Sequence, residues 1–378
     1  MDFRLSPAQA AFQQEVTAVA DELAAPGGPD LRADPEYNEH VRMELAKRKW
    51  LAMPWPKEYG GLGASPMQQM LYNETMSYRR VPAGNMGVWW VGPALILYGN
   101  DEQKERFLPR ITNGDDVWCT LYSEPGAGSD LAALQTRAVR DGDDYIINGQ
   151  KIWTSGAHRS NWGWLAARTD PDAPKHRGMS MFCVPMDAPG LSIRPLVNMT
   201  GNHEFNEVFF DNVRVPATQR VGEENRGWYT LAVALDFERS SIGSTAGAHR
   251  TIDDFVELVR SGRAVLTEQT RNRLSDCAIS VQVLRFIGYR IAAEQEQTGI
   301  APTLLAQMAK LSAMELNQKI SSMTMQVLGM EGQAHPADSV AEAYTHAFLR
   351  SVANTIEGGT SEIQRNVIAT RGLGLPRG

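Results

Sequence analysis

Cysteine is scarce in this 378-residue chain: Cys119, Cys183 and Cys277 are all it has. Three scattered cysteines are too few for a disulfide framework or a zinc site. No apolar run approaches the roughly 18 residues that a membrane helix needs, so no membrane span is expected. Charge of one sign is not concentrated either. Lys plus Arg total 37 against 44 Asp plus Glu, a formal charge of −7. With no basic block, nucleic acid is not an expected partner, although a few local arginines could still hold a small anion. HExxH, the P-loop and the GxSxG elbow are all missing. The seven histidines are scattered with no second ligand in register, which leaves no metal site and makes them structural or surface residues by default. The opening Met1-Asp2-Phe3-Arg4 lacks the basic-then-apolar pattern of a signal peptide, so the cytoplasm is the expected compartment. A collagen, a coiled coil, a secreted mini-domain and a disordered chain are excluded. What remains is a globular protein with 43% hydrophobic and 21% charged residues, long enough for two or three domains.

The chain changes texture twice, which predicts an α+β multidomain protein. Residues 1–115 read as a helical domain. Ser6-Pro7 and Ser65-Pro66 are cap-plus-first-turn signals. Phe12, Val16, Val19 and Leu23 recur at helical spacing, Tyr37, Val41 and Leu45 mark a second helix, and Met67, Met70, Leu71 and Tyr78 a third. Pro54 to Gly63 is a loop by its Pro and Gly content. Residues 116–225 read as short strands: 117–122, 136–140, 145–153, 162–168, 180–186, 191–195 and 207–215. Asp141-Gly142-Asp143-Asp144 is a hairpin signal between two of them. Strands at this spacing predict a small barrel or sandwich rather than a parallel sheet. Residues 226–378 return to helix, with patterns through Trp228, Leu231, Leu235 and Ile242, then over about 268–298, 302–328 and 337–355, and a short one after Thr360.

Four segments could carry chemistry. In Tyr122-Ser123-Glu124-Pro125-Gly126-Ala127-Gly128-Ser129-Asp130, glycines and a serine after a strand could bring backbone N–H groups to a phosphate or a flat ring; a plain tight turn is the alternative. A dinucleotide fingerprint fails there, because position 131 is Leu and no βαβ unit surrounds it. In Lys151-Ile152-Trp153-Thr154-Ser155-Gly156, a Trp beside hydroxyls suits a stacked cofactor with a hydrogen-bonded edge; the alternative is a core Trp at a strand end. Glu238 shares a helical face with Leu231, Ala234, Leu235, Ile242 and Thr245. A carboxylate on an apolar face is desolvated, which raises its pKa and makes it a better base. A salt bridge is the alternative, but Arg239 points about 100° away. Last, Gly358-Gly359-Thr360-Ser361-Glu362 is a loop feeding a helix N-terminus, an end that holds anions or is simply capped.

YSEPGAGSD, NGQKIWTSGA, FERSSIG and GGTSEIQRN, in this order, resemble the acyl-CoA dehydrogenase family. Trp55-Pro56-Lys57-Glu58-Tyr59-Gly60-Gly61 and Leu373-Gly374-Leu375-Pro376-Arg377 match as well, so the resemblance covers nearly the whole chain. It implies a helical domain, a small central β domain and a C-terminal four-helix bundle. It implies FAD, an acyl-CoA substrate, oxidation to the trans-2-enoyl thioester, and an electron-transferring flavoprotein or another acceptor for the electrons. By segment, the cofactor would meet Tyr122, Ser123, Gly128 and Ser129; Trp153 would shield the ring, Ser155 would approach N5, and Thr360 and Glu362 would touch the cofactor too. Ser129 and Arg239 would also meet substrate. Many members carry the catalytic base immediately before Gly-Thr, where this chain has Gly358; others carry it on the first long helix of the C-terminal domain, which Glu238 matches. Glu357 is one residue out of frame and is the second candidate.

Two segments depart from the family pattern. Arg-x-x-Phe-Gly is replaced around Leu258-Val259-Arg260-Ser261-Gly262-Arg263, and Gln-x-x-Gly-Gly becomes Gln326-Val327-Leu328-Gly329-Met330. Both normally serve a neighbouring subunit's cofactor, Gln326 among them. The family forms dimers or dimers of dimers, and steroid-degrading members that form heterotetramers show similar erosion. A homodimer or tetramer is therefore expected, with a hetero-oligomer as the alternative. Oxidase, monooxygenase or desulfinase chemistry on the same fold, or a non-catalytic subunit, are the competing functions.

Overall fold

The computed structural model describes residues 4–25, 34–232, 245–334 and 340–376. Its helices are α1 (Pro7–Leu23), α2 (Pro35–Lys47), α3 (Pro66–Tyr78), α4 (Gly92–Tyr98), α5 (Asp101–Thr112), α6 (Ala246–Arg260), α7 (Glu268–Thr298), α8 (Thr303–Leu328), α9 (Met330–Ala334), α10 (Val340–Asn354) and α11 (Ser361–Val367). Its strands are β1 (Trp118–Leu121), β2 (Arg137–Asp141), β3 (Asp144–Lys151), β4 (Trp162–Arg168), β5 (Met179–Pro185), β6 (Leu191–Leu196), β7 (Phe205–Pro216) and β8 (Arg220–Val221). The seven predicted strands are present with limits shifted by two residues at most. Two compact units result, one of residues 1–44, 64–83 and 239–378 and one of 45–63 and 84–238.

In the first unit, α1 and α3 start on the predicted signals. Ser6 and Ser65 each accept a hydrogen bond from the backbone three residues on, Gln9 and Gln68 reach back to the cap amides, and proline fills the first helical position. The four long helices α6, α7, α8 and α10 share two cores. One joins Ile252, Cys277, Val281, Leu284, Leu316 and Ile320; the other joins Phe255, Leu258, Met323 and Tyr344. Each such buried side chain stabilises by roughly 1.5–3 kcal/mol, so the bundle rests on the apolar stripes that the sequence shows. Helix α3 packs on α7 through Met70, Leu71, Tyr289 and Ala292. Beside this contact Glu74 accepts from Arg285 Nε at 2.5 Å and from Tyr289 Oη at 2.7 Å, a polar tie next to the apolar cluster.

In the second unit the strands form one sheet ordered β6-β7-β3-β2-β4-β5-β8, with β1 paired to β4. Most pairs are antiparallel, but β1 and β2 both run parallel to β4. The sheet wraps a single core in which Leu121, Ala138, Ile147, Leu165, Phe182 and Val208, from six different strands, belong to one cluster. Strand β4 is covered along nearly its whole length, as expected for a central strand. Residues Asp141 and Asp144 pair across a Gly142-Asp143 turn, with Gly142 at φ 63°, so the hairpin signal is realised. On β7 the inward phase passes from Val208 and Phe210 to Val213 and Val215; Asn212 at φ 52° and a register shift opposite Ile147 and Gly149 absorb the extra residue.

One strand end differs from the sequence reading. Strand β3 stops at Lys151, and Trp153 lies beyond it at φ 60°. A left-handed residue interrupts the pleat, and here the segment leaves the sheet instead of resuming its pairing as β7 does past Asn212.

Candidate active site

The two segments singled out in the β unit run side by side. Ile152 N donates to Ser123 O at 2.9 Å, joining the Tyr122–Asp130 loop to the segment after β3. Glu124 and Ala127 exchange two 3.0 Å backbone bonds, which makes Glu124-Pro125-Gly126-Ala127 a closed turn.

Beneath this turn is a buried ion pair. Lys151, 0% exposed, donates from Nζ to Glu124 Oε1 at 2.8 Å and to Tyr122 O at 2.9 Å. The other donors to Glu124 are backbone: Gln135 N at 2.6 Å and Thr136 N at 2.9 Å. Burial pushes the Glu124 carboxyl up, but Lys151 and these donors outweigh it and hold it below the ordinary carboxylate value. Burial pushes the Lys151 ammonium down to about 8, against the pull of Glu124. Neither residue was a sequence candidate. The signal was there: Lys151 shares the inward phase of Tyr145 and Ile147 on a strand, and an inward lysine needs a partner.

Trp153 is 56% exposed, so it is not a core tryptophan; one ring contact is edge-on to Phe205, with centroids 5.9 Å apart. Its left-handed backbone costs roughly 1–2 kcal/mol, and neighbours on both sides hold it. Thr154 N donates to Asn206 O at 3.1 Å, and Gly156 N to Glu204 O at 3.1 Å. Asn206 Nδ2 donates to Thr154 O at 3.0 Å. Burial, then the His203 ring and Arg159, keep His158 below the ordinary histidine value.

The rim of these segments is rich in donors. No described residue accepts from the amides of Gly128, Ser129, Trp153 and Ser155 or from the hydroxyls of Ser123, Ser129 and Ser155. Nothing lies within 4 Å of where a Cβ on Gly126 or Gly128 would stand, so the loop's flank is open. Unpaired donors beside an exposed aromatic face suit a flat, acceptor-edged ring carrying phosphates, as a flavin dinucleotide is. The chemistry of the donor set therefore fits FAD.

The helical unit carries most of the remaining candidates. Thr360 caps α11, accepting from Ile363 N at 3.2 Å. Glu362 lies in the first turn, where a backbone amide and the Thr360 hydroxyl hold its carboxyl below the ordinary value. The preceding loop turns through Gly358 at φ 61° and Gly359 at φ 95°. Lys310 on α8, nearly buried, donates to Gly359 O and, at 2.6 Å, to Glu357 O. The second candidate base, Glu357, has its carboxylate clamped by Arg350 Nη2 at 2.9 Å and Asn354 Nδ2 at 2.6 Å. Gln326 Oε1 accepts from Arg273 at 2.7 Å. Glu238 and Arg239 lie outside the described residues. Among the described residues, no helix is long and apolar enough to cross a membrane, and no group of three or more His, Cys, Asp or Glu could hold a metal ion.

Known proteins share this organisation from end to end. Models of the acyl-CoA dehydrogenase N-terminal, middle and C-terminal domains match residues 6–115, 119–213 and 225–373. Acyl-CoA dehydrogenase IpdE1 of Mycobacterium tuberculosis is 38% identical over 356 residues, 93% of this chain and 91% of that protein. Acyl-CoA dehydrogenase FadE34 of the same organism is 38% identical over 364 residues, 96% of this chain but 49% of that longer protein. Among solved structures, the Tcur3481-Tcur3483 steroid ACAD superposes with a TM-score of 0.91 at 34% identity, covering all of both chains. The ChsE4-ChsE5 complex from Mycobacterium tuberculosis gives 0.88 at 34% identity, again over all of both chains. With all three domains matched and relatives this similar over nearly the full length, the chain belongs to the acyl-CoA dehydrogenase family, a family of flavin-dependent oxidoreductases.

Proposed function

We propose that this protein binds FAD and oxidises an acyl-CoA thioester to the trans-2-enoyl-CoA. The observation that carries the reading is the donor-lined rim beside an exposed Trp153 held at φ 60°. A tryptophan so placed gains little from burial in the protein, which leaves a ligand to cover its face. FAD, when bound, accepts the β-hydride of the acyl chain.

The chain's own residues do the rest. Ser123, Ser129 and the amides of Gly128 and Ser129 bind the cofactor's polar groups. Trp153 excludes water from one face of its ring, and Ser155 donates to its edge. Tyr122 adds to these contacts, and Thr360, Glu362 and Gln326 of the helical unit are further candidates by the family pattern, Gln326 with its acceptor already on Arg273. Glu238 takes the α-proton at its carboxylate, and Arg239 and Ser129 orient the thioester. Hydrogen bonds to the thioester carbonyl stabilise negative charge as the α-proton leaves. The clamp of Arg350 and Asn354 on Glu357 supports Glu238, because the Glu357 carboxylate is already engaged by two donors of the protein.

The 34% identity to a steroid ACAD supports a polycyclic, steroid-derived acyl group. The likeness to a two-component complex supports a hetero-oligomer. FadE34 supports it too, since a protein about twice this length has room for a second such unit. Electrons then leave to an electron-transferring flavoprotein or another acceptor. A non-catalytic subunit is the second reading, favoured by the engagement of Gln326 with Arg273. Expression alone and together with a sibling subunit, followed by flavin-to-protein ratios and a screen of straight, branched and polycyclic acyl-CoAs, tests both readings. Substrate-dependent bleaching of the flavin is expected; a flavin-free chain in both preparations would overturn the proposal.

A further inference from the structure

We infer that Asn206, with His203 behind it, is the positioning residue that holds Trp153 and Ser155 for the cofactor. The inference rests on the reading that a flavin lies against Trp153.

Asn206 is 0% exposed near the start of β7, some fifty positions along the chain from the segment it controls. It grips the Thr154 residue at both of its backbone polar groups: Thr154 N donates to Asn206 O at 3.1 Å, and Asn206 Nδ2 donates to Thr154 O at 3.0 Å. The polarity of the side chain follows from this contact. A carbonyl can only accept, so the amide nitrogen faces Thr154 and Oδ1 faces His203, whose Nε2 lies 2.7 Å away and is the donor. The same Nδ2 lies 3.1 Å from His158 Nδ1, which is thereby the acceptor of a neutral ring. The two imidazoles stack, with centroids 4.0 Å apart and planes 22° from parallel. Both hydrogens and the oxygen of the Asn206 amide are thus used, and each partner fixes the next.

Trp153 and Ser155 flank the gripped residue. A left-handed non-glycine residue persists only where its surroundings over-determine it. Burial of the Trp153 ring does not supply that constraint, since the ring is more than half exposed. The bonds to Thr154 supply it, together with Ile152 N to Ser123 O and Gly156 N to Glu204 O. The direction of an exposed aromatic face and of the Ser155 hydroxyl is therefore set by a buried amide whose hydrogen bonds go to Thr154 and two histidines. The scattered histidines of the sequence find a use here, in fixing the amide's orientation.

The test uses the full chain with three substitutions. Asn206→Ala removes the amide; His203→Phe keeps a ring against His158 but removes the donor to Oδ1; His203→Gln restores a donor there. Hydrogen exchange of the Thr154 and Gly156 amides, flavin affinity and the shape of the flavin's visible band are read for each. Asn206→Ala and His203→Phe should speed exchange at these amides and weaken flavin binding about tenfold, the order expected for a lost buried hydrogen bond. His203→Gln should resemble the parent. Unchanged exchange or unchanged flavin binding in both disruptive variants would overturn the inference. So would exchange that rises equally across β3 and β7, which would make Asn206 a residue of the fold alone. If Asn206→Ala does not fold, His203→Phe against His203→Gln decides. If the parent chain holds no flavin, the functional reading fails, and local exchange still decides whether Asn206 positions the loop.

Discussion

Lys151 Nζ lies 2.8 Å from Glu124 Oε1, with both side chains buried, and this pair fastens the Tyr122–Asp130 loop to the end of β3. Taking one partner away leaves the other charged without solvent. Lys151→Met should therefore destabilise by about 3–5 kcal/mol, read by denaturant unfolding. Glu124→Gln keeps the shape and should cost less.

The same pair sets an acid limb. The Glu124 carboxyl is held below its ordinary value of 4.5, so the folded state binds its proton less readily than the unfolded state does. Its contribution is complete above about pH 4.5 and is lost as pH falls through the lower, folded-state value. Stability measured against pH should fall more steeply below 4.5 in the parent than in Glu124→Gln. Parallel curves would contradict this.

Glu238→Gln should retain flavin and bind acyl-CoA yet lose about 10²–10⁴-fold in turnover, the usual effect of deleting a positioned base. Glu357→Gln should keep turnover and lose only part of the hold on Arg350 and Asn354. Steady-state rates beside flavin-to-protein ratios check both. The reverse outcome would move the base to Glu357.

Trp153 separates backbone strain from cofactor binding. Trp153→Ala keeps the left-handed backbone, whereas Trp153→Gly adopts φ 60° freely. Both should lose flavin, while the glycine variant is about 0.5–1 kcal/mol the more stable. Thermal unfolding and absorbance ratios are the readings; a fully loaded alanine variant would show that the ring does not cover the cofactor.

In the helical unit, Gly359→Ala should destabilise by more than about 1 kcal/mol. Its φ is 95° and a Cβ there would stand 2.7 Å from Gln364 Nε2. Urea unfolding of the two proteins measures it.

Local signals in the sequence were enough for the helical–β–helical order, the Ser6 and Ser65 caps and the Asp141–Asp144 hairpin, because each depends on residues a few positions apart. Helices α4, α5 and α6 were not marked out by apolar spacing. Nor were the parallel pairing of β4 with β1 and β2, or strand β8, since pairing partners lie far along the chain. The site divides the same way. Trp153, Ser155 and the Gly126–Ser129 turn stood out as motifs. Glu124, Lys151, Asn206 and Lys310 did not, because each is defined by a partner at least 27 positions away. The left-handed Trp153 was hidden by an apolar run that reads as strand.

The most direct test of the account is anaerobic addition of acyl-CoAs to the purified chain, alone or with its sibling subunit, while the flavin's visible band is followed. A flavoprotein whose band bleaches on adding a polycyclic acyl-CoA, and whose Glu238→Gln variant stays yellow, is the predicted result. A chain that carries no flavin in either preparation, or flavin that no acyl-CoA reduces, would contradict it.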